Sequence, residues 1–430
     1  MFCRHDDAPI AVMWCHMNPS KIPARVVVQK FWSKRCELVS AISDCATASS
    51  LPLEFSDAPS RDQKIVVIQL INAHFISRTG TARITQNPSN IFDNFDFREA
   101  MPGGVHENAL IVLDASPEGW AAFREDYFTE FMQELPEGFA LPRIVFVQTN
   151  YKFATDMTHW CQSRNIAPPQ HLIWSYFGHK VLARAVASPT ESQSRANAPN
   201  HSVMCLNYKA RPMRARTICD LLKADLPLPP LLSWRAFPEQ MLQHIAPDMD
   251  ATTKRLLMTD RDVGVPPKDR TEMVLGYDQS LFDQSFFSLV SETEMSNGNV
   301  VRITEKSLKP ILAGHPFFIA GNPGVLEQLR SYGLQTFGSV FDESYDTIAD
   351  PVSRRDTLMK EVLRLARLGI SELENLRKQC AEIIEHNKSF ARQELLSHPE
   401  FSATRIAEEL ILRASKIGRS PIATPEQLSA

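Results

Sequence analysis

Three short apolar runs constrain the fold most: residues 64–71 (KIVVIQLI), 109–113 (ALIVL) and 143–147 (RIVFV). Each is rich in β-branched residues and apolar at successive positions, so a strand formed there is apolar on both faces. Such strands suit a parallel sheet covered on each side by helices. Stretches of helical length follow the second and third runs, at 117–134 and 151–164, and 171–175 (HLIWS) adds a fourth short strand. Regular alternation of strand and helix reads as a doubly wound α/β domain.

Over 188–202 the sequence turns to SPTESQSRANAPNHS, polar and without periodicity, and reads as a linker. The α/β pattern then restarts. A strand is expected over 203–207 (VMCLN), and a helix over 213–224 that LPLPPLL ends. A polar, loop-rich stretch over 248–268 precedes a strand at 286–292, a helix at 305–313, a strand at 316–320 and a helix at 324–332 stopped by Gly333. From 352 onward the chain reads as helical. Leu373, Leu376, Cys380, Ile383 and Phe390 form an apolar stripe along one long helix, opposite Glu374, Arg377, Lys378 and Glu382. An amphipathic helix packed on a domain fits this better than a coiled coil. The expected architecture is α/β, with two Rossmann-like domains over 1–195 and 196–350 and a helical C-terminal segment over 351–430.

A chain of 430 residues has room for two such domains. Its net charge of −4 provides no general attraction for nucleic acid, so no nucleic-acid partner is expected. The eight cysteines include no CxxC pair and no Cys/His cluster at zinc-ligand spacing, and scattered thiols fit a reducing compartment. The N-terminus, MFCRHDDAPIAVMWCHM, is interrupted by charge and makes a poor signal peptide. No apolar run reaches the length of about 18 residues that marks a spanning helix. A cytoplasmic protein is the simplest reading, and it is compatible with peripheral attachment to a membrane.

The chemistry concentrates in FFSLVSETEMSNGNVVRITEKSLKPILAGHPFFIAGNPG, residues 286–324. Thr304 stands where a helix N-cap belongs, which puts Glu305 and Lys306 in the first turn. Exposed N–H groups and the helix dipole there favour an anion such as a diphosphate. A lysine adds a full positive charge, and a carboxylate accepts hydrogen bonds from ribose or sugar hydroxyls. Glu292 ends the preceding strand and points into the same crevice. Taken alone, these residues also fit a capped surface helix with an adjacent Glu–Lys pair.

The segment resembles the donor-binding motif of α1,3-fucosyltransferases, in which a strand ending in Glu-Asn-Ser precedes a Tyr-x-Thr-Glu-Lys helix start and a Pro-Val-x-x-Gly strand. Ser291-Glu292-Thr293, Ile303-Thr304-Glu305-Lys306 and Pro316-Phe317-Phe318-Ile319-Ala320-Gly321 take the three places. It is similar too to a group of bacterial and phage glycosyltransferase-like proteins with a Thr-Glu-Lys-x-x-Lys-Pro-Ile pattern. That pattern continues into Gly-Asn-Pro-Gly and is matched further by Leu329-Arg330, Gly333, Thr336-Phe337 and Asp342-Glu343-Ser344-Tyr345. Thr293 and Ile303 depart from the fucosyltransferase motif, so the resemblance does not name GDP-fucose as donor. It implies a GT-B arrangement and a glycosyltransferase that moves a sugar from a nucleotide diphospho-sugar to a glycan or other hydroxyl acceptor. It also implies Lys306 on the donor phosphate, Glu305 on the ribose and Glu292 close to the sugar, which makes Glu292 a catalytic candidate; no metal or cofactor is expected.

A second element, CLNYKARPMR at 205–214, joins a strand to a helix. The bacterial group has a similar Leu-Asn-x-x-x-Arg-Pro-His-Arg element. Arginines at such a junction suit bidentate phosphate binding, which makes Asn207, Arg211 and Arg214 donor-site candidates. A solvated basic helix start is the alternative. Asp260-Arg261-Asp262 has the DxD spacing of metal-holding glycosyltransferases, but it lies in a polar loop, and a Lys/Arg clamp makes a metal unnecessary. GxGxxG, GxxxxGK[ST], GxSxG and HExxH are absent. An inverting transferase needs a general base near its acceptor hydroxyl. Asp114, ending ALIVLD, is the candidate, with His74 and His106 in nearby loops. A non-catalytic nucleotide-sugar-binding protein and a phage-type transferase acting on DNA bases are the competing readings.

Overall fold

A computed structural model describes residues 26–28, 37–48, 55–56, 65–69, 109–116, 123, 125–135, 139–187, 198–208, 210–245, 249–263 and 274–417. They form a mixed α/β structure with many helices and two parallel sheets. The chain divides into two compact units, Met1–Trp174 with Ser402–Ala430, and Ser175–Phe401.

The first unit runs β1 (Val26–Val28), α1 (Glu37–Ala48), β2 (Phe55–Ser56), β3 (Ile65–Gln69), β4 (Leu110–Asp114), α2 (Glu125–Glu134), β5 (Ile144–Gln148), α3 (Tyr151–Ser163) and β6 (Gln170–Ile173). Its strand order is β2-β1-β3-β4-β5-β6, parallel throughout. β4 and β5 are buried at every position, as apolar character on both faces requires. Asn150 starts α3 by accepting the Lys152 N–H at 3.1 Å. Phe128, Phe131, Phe146, Phe153 and Trp160 pack between α2, β5 and α3, with Trp160 edge-on to Phe128 at 5.3 Å. The helix Ala403–Lys416 lies against α1 and sends Arg413 to Gln170 Oε1 at 3.0 Å. Strand order reverses between β1 and β3. The residues that follow those strands, 29–36 and 70–108, lie outside the described residues, and so do His74 and His106.

The second unit contains α4 (Tyr176–Ala187), β7 (His201–Leu206), α5 (Pro212–Lys223), β8 (Leu231–Ser233), α6 (Glu239–Ile245), α7 (Ala251–Leu257) and α8 (Gln279–Asp283). It continues with β9 (Ser285–Ser291), α9 (Glu305–Ala313), β10 (Phe317–Ala320), α10 (Val325–Ser331), α11 (Pro351–Ala366), α12 (Ile370–Gln379) and α13 (Ala381–Gln393). The sheet order is β10-β9-β7-β8, again parallel. From β7 the chain moves to β8 on one side, and then β9 and β10 build on the other. The switch point of this sheet therefore falls between β7 and β9.

β10 is an edge strand, and the Tyr345 hydroxyl accepts the Ile319 N–H at 3.3 Å on its unpaired side. Phe318 stacks on Phe341 at 4.9 Å, which in turn stacks on Phe337. Glu343 accepts the Phe337 N–H at 2.7 Å and the Thr336 hydroxyl at 2.8 Å. Asp346 accepts the Leu326 N–H at 3.1 Å and so caps α10 in place of Gly324, which has no side chain to do it. Thr336-Phe337 and 342–346 thus brace the edge strand.

Three expectations change. α7 forms inside the stretch read as loop, because Asp250 caps it by accepting the Thr253 N–H at 2.8 Å. The end of LPLPPLL contributes β8. The long C-terminal helix is two helices, α12 and α13, broken at Cys380, whose N–H is shared between the Leu376 and Arg377 carbonyls at 3.1 Å each. The tightened turn shifts the phase, so Ile384 rather than Ile383 is buried. Of the polar stretch 188–202, residues 188–197 lie outside the described residues, and α4 ahead of it belongs to the second unit.

Candidate functional site at the β7/β9 switch point

Ligands of open parallel sheets bind beyond the carboxyl ends of the strands at the switch point. In the second unit that is the space after Leu206 of β7 and Ser291 of β9, where α5 and α9 begin. Asn207, Arg211, Arg214, Glu292, Thr304, Glu305 and Lys306 all belong to these two junctions.

Thr304 is extended and caps α9, its hydroxyl accepting the Lys306 N–H at 3.3 Å. The same hydroxyl donates to Glu292. The buried Ser307 hydroxyl, one turn into the helix, donates to Glu292 Oε1 at 2.6 Å. Glu292 is buried, and its carboxylate ties the end of β9 to the start of α9. Lys306 Nζ donates to Glu305 Oε1 at 2.9 Å and to Thr304 Oγ1 at 3.3 Å, and lies 4.0 Å from Glu292 Oε2. Burial works to raise the Glu305 pKa, but the charge and hydrogen bond of Lys306, with Lys309 behind, hold it below the ordinary carboxylate range.

From the other junction, Pro212 opens α5 and needs no hydrogen-bond partner there. Arg214, buried in the first turn, donates to the carbonyls of Glu292 at 2.9 Å and Ser291 at 3.3 Å, joining the two sides of the switch point. Arg211 is half-buried. Burial lowers its pKa, Glu294 opposes that, and Arg302 adds to it. Asn207 is 7% exposed and donates to Cys205 Sγ at 3.3 Å, while its Oδ1 has no hydrogen-bond partner among the described residues.

The segment between β9 and α9 is pinned in place. Asn322, from the Gly-Asn-Pro-Gly turn after β10, accepts the Ser296 N–H at 2.6 Å and donates to the Val300 carbonyl at 2.6 Å. Arg354, 1% exposed, donates to the carbonyls of Gly321, Ile348, Ala349 and Ser296. The loop so held carries Glu294 and Arg302, which pair at 3.2 Å. Sequence reasoning missed both, along with Ser307, Asn322 and Arg354. The available signal was the second acid of Glu292-Thr293-Glu294 and the basic residue just ahead of the Thr304 cap.

Asp114 belongs to the first unit, at the carboxyl end of β4. Its carboxyl group is 1% exposed and accepts from the Ser116 hydroxyl at 2.6 Å and N–H at 3.0 Å. Asp260 accepts from Arg235 at 3.0 Å and from the Ala236 N–H at 2.7 Å and so ties its loop to the residues after β8, while Asp262 accepts from the Val263 N–H within its own loop. Among the described residues no group of three His, Cys, Asp or Glu stands as a metal site, and no helix is long and apolar enough to cross a membrane. The described cysteines are buried free thiols.

No protein-family model matches the chain, and no curated protein matches it. Among solved structures, the wall teichoic acid polymerase TagF is 12% identical at a TM-score of 0.30, over 98% of this chain and 94% of that one. The calicheamicin glycosyltransferase CalG4 is 12% identical at a TM-score of 0.24, over 97% of this chain and 83% of that one.

Proposed function

We propose that the protein is a glycosyltransferase whose second unit binds a nucleotide diphospho-sugar at the β7/β9 switch point. The observation that carries this is the gathering of Arg211, Arg214, Arg302 and Lys306 around two helix starts, with Glu305 beside them and a buried Asn207 acceptor that lacks a hydrogen-bond partner among the described residues. A diphosphate needs the cations and the N–H groups of a helix start, and hydroxyl groups need the carboxylate. Lys306 and Arg211 take the phosphates, Glu305 the ribose, and Thr304 and Arg214 hold the frame. Glu292 positions Thr304 and Lys306 instead of touching the sugar, because its carboxylate is already engaged by Thr304 and Ser307. Catalysis rests on stabilising the departing diphosphate by positive groups already in place, a role that calls for no metal.

The acceptor, a glycan or other hydroxyl compound, falls to the first unit. There Asp114 serves as base only after leaving Ser116. Assays of sugar-nucleotide hydrolysis and transfer test the reading: turnover of a donor, abolished by Lys306→Ala, supports it. Tight nucleotide binding without turnover on any acceptor makes the protein a binding module. Turnover that Lys306→Ala leaves intact refutes the site.

A further inference from the structure

Two charged groups at the switch point are committed to the protein frame: Glu292 to Thr304 and Ser307, and Arg214 to two carbonyls. Glu294, Arg302 and Arg211 are arranged differently. Arg302 donates to Glu294 Oε1 at 3.2 Å, and the two side chains are 13% and 25% exposed. Arg211 acts on the same carboxylate from the α5 side, and among the described residues its guanidinium makes no hydrogen bond or ion pair of its own. Guanidinium forks receive a carboxylate and a phosphate in the same way.

We propose that Glu294 is a resident stand-in for phosphate: its carboxylate occupies Arg302, within the electrostatic reach of Arg211, until a ligand's diphosphate displaces it and takes both arginines. The inference rests on the diphosphate reading of the site and deepens it, making Glu294 the residue that sets how tightly the diphosphate is held. It has a consequence for protons. The charged groups facing Glu294 are Arg302, Arg211, Glu292 and Lys306. Burial already pushes its pKa up, and Arg302 and Arg211 oppose that. A phosphate that takes the two arginines removes their support and adds a negative neighbour, so Glu294 takes a proton from solvent as the ligand binds. Binding therefore weakens as pH rises.

The test is calorimetry on the full chain with GDP, UDP, CDP, ADP and inorganic pyrophosphate, in buffers of differing ionisation enthalpy. The wild type is expected to take up protons on binding. Glu294→Gln is expected to bind roughly tenfold tighter without the uptake, and Arg302→Gln to bind more weakly than wild type. Equal or weaker binding by Glu294→Gln overturns the stand-in, because Glu294 then does not compete with the ligand. Should that variant fail to fold, wild-type binding without proton uptake overturns it instead. Pyrophosphate bound more tightly by Glu294→Gln, with no nucleoside diphosphate bound by either protein, supports the stand-in and overturns the nucleotide reading. Binding of none of these probes overturns both.

Discussion

The Thr304 hydroxyl lies 2.8 Å from each carboxylate oxygen of Glu292, and this pair fixes where α9 begins relative to β9. The hydroxyl caps the helix as acceptor while donating to the acid, so cap and strand end are one unit. Glu292→Ala leaves Thr304 and Ser307 as buried donors without their acceptor. A loss of about 2–3 kcal/mol is expected in urea denaturation. Glu292→Gln, which keeps one acceptor oxygen, loses less. Full stability of the alanine variant would contradict this role.

Arg354 supplies donors to four carbonyls from a position that is 1% exposed. Arg354→Met keeps much of the volume and removes every one of those bonds, and about 3–5 kcal/mol of stability is expected to go with them. Arg354→Lys does not rescue it, since a point charge cannot replace a planar fork. Hydrogen exchange should show the 293–304 loop losing protection in both variants. An unchanged loop would show that Asn322 alone holds it.

Glu400 accepts the Tyr332 hydroxyl at 2.7 Å, and burial pushes its carboxyl pKa up to about 7. In the unfolded chain it titrates near 4.3, so between about pH 4.5 and 7 the folded state holds a proton that the unfolded state has given up. The unfolded state then binds fewer protons, and stability falls as pH rises through that window and levels off above it. Glu400→Gln keeps an acceptor for Tyr332 and removes the decline. Relative to wild type, its stability is expected to grow by roughly 1–3 kcal/mol from pH 5 to pH 7.5. Parallel pH profiles for the two proteins would refute the assignment.

The sequence exposed what periodicity and caps encode. β4, β5, β7, β9 and β10 were legible as apolar runs, and α9 as a capped helix from Glu305 to Ala313. β8 was not, because three residues after a Pro-rich run are too short to show a period. α7 was hidden in polar sequence, since it owes its start to the Asp250 cap. At the site, residues next to a recognisable helix start were found. Arg354 was not: it follows the loop it pins by 50 residues or more in sequence, and only the fold brings them together. Glu292 was found, but its hydrogen bonds from Thr304 and Ser307 were not, because no sequence pattern reports them.

The most direct measurement is calorimetric titration of the wild type and Lys306→Ala with GDP, UDP, CDP and ADP. At least one nucleoside diphosphate is expected to bind the wild type, and Lys306→Ala to bind it at least tenfold more weakly, about the 1.4 kcal/mol that one lost charge-assisted contact is worth. No binding of any of the four, or binding that Lys306→Ala leaves unchanged, would contradict a donor site at the β7/β9 switch point.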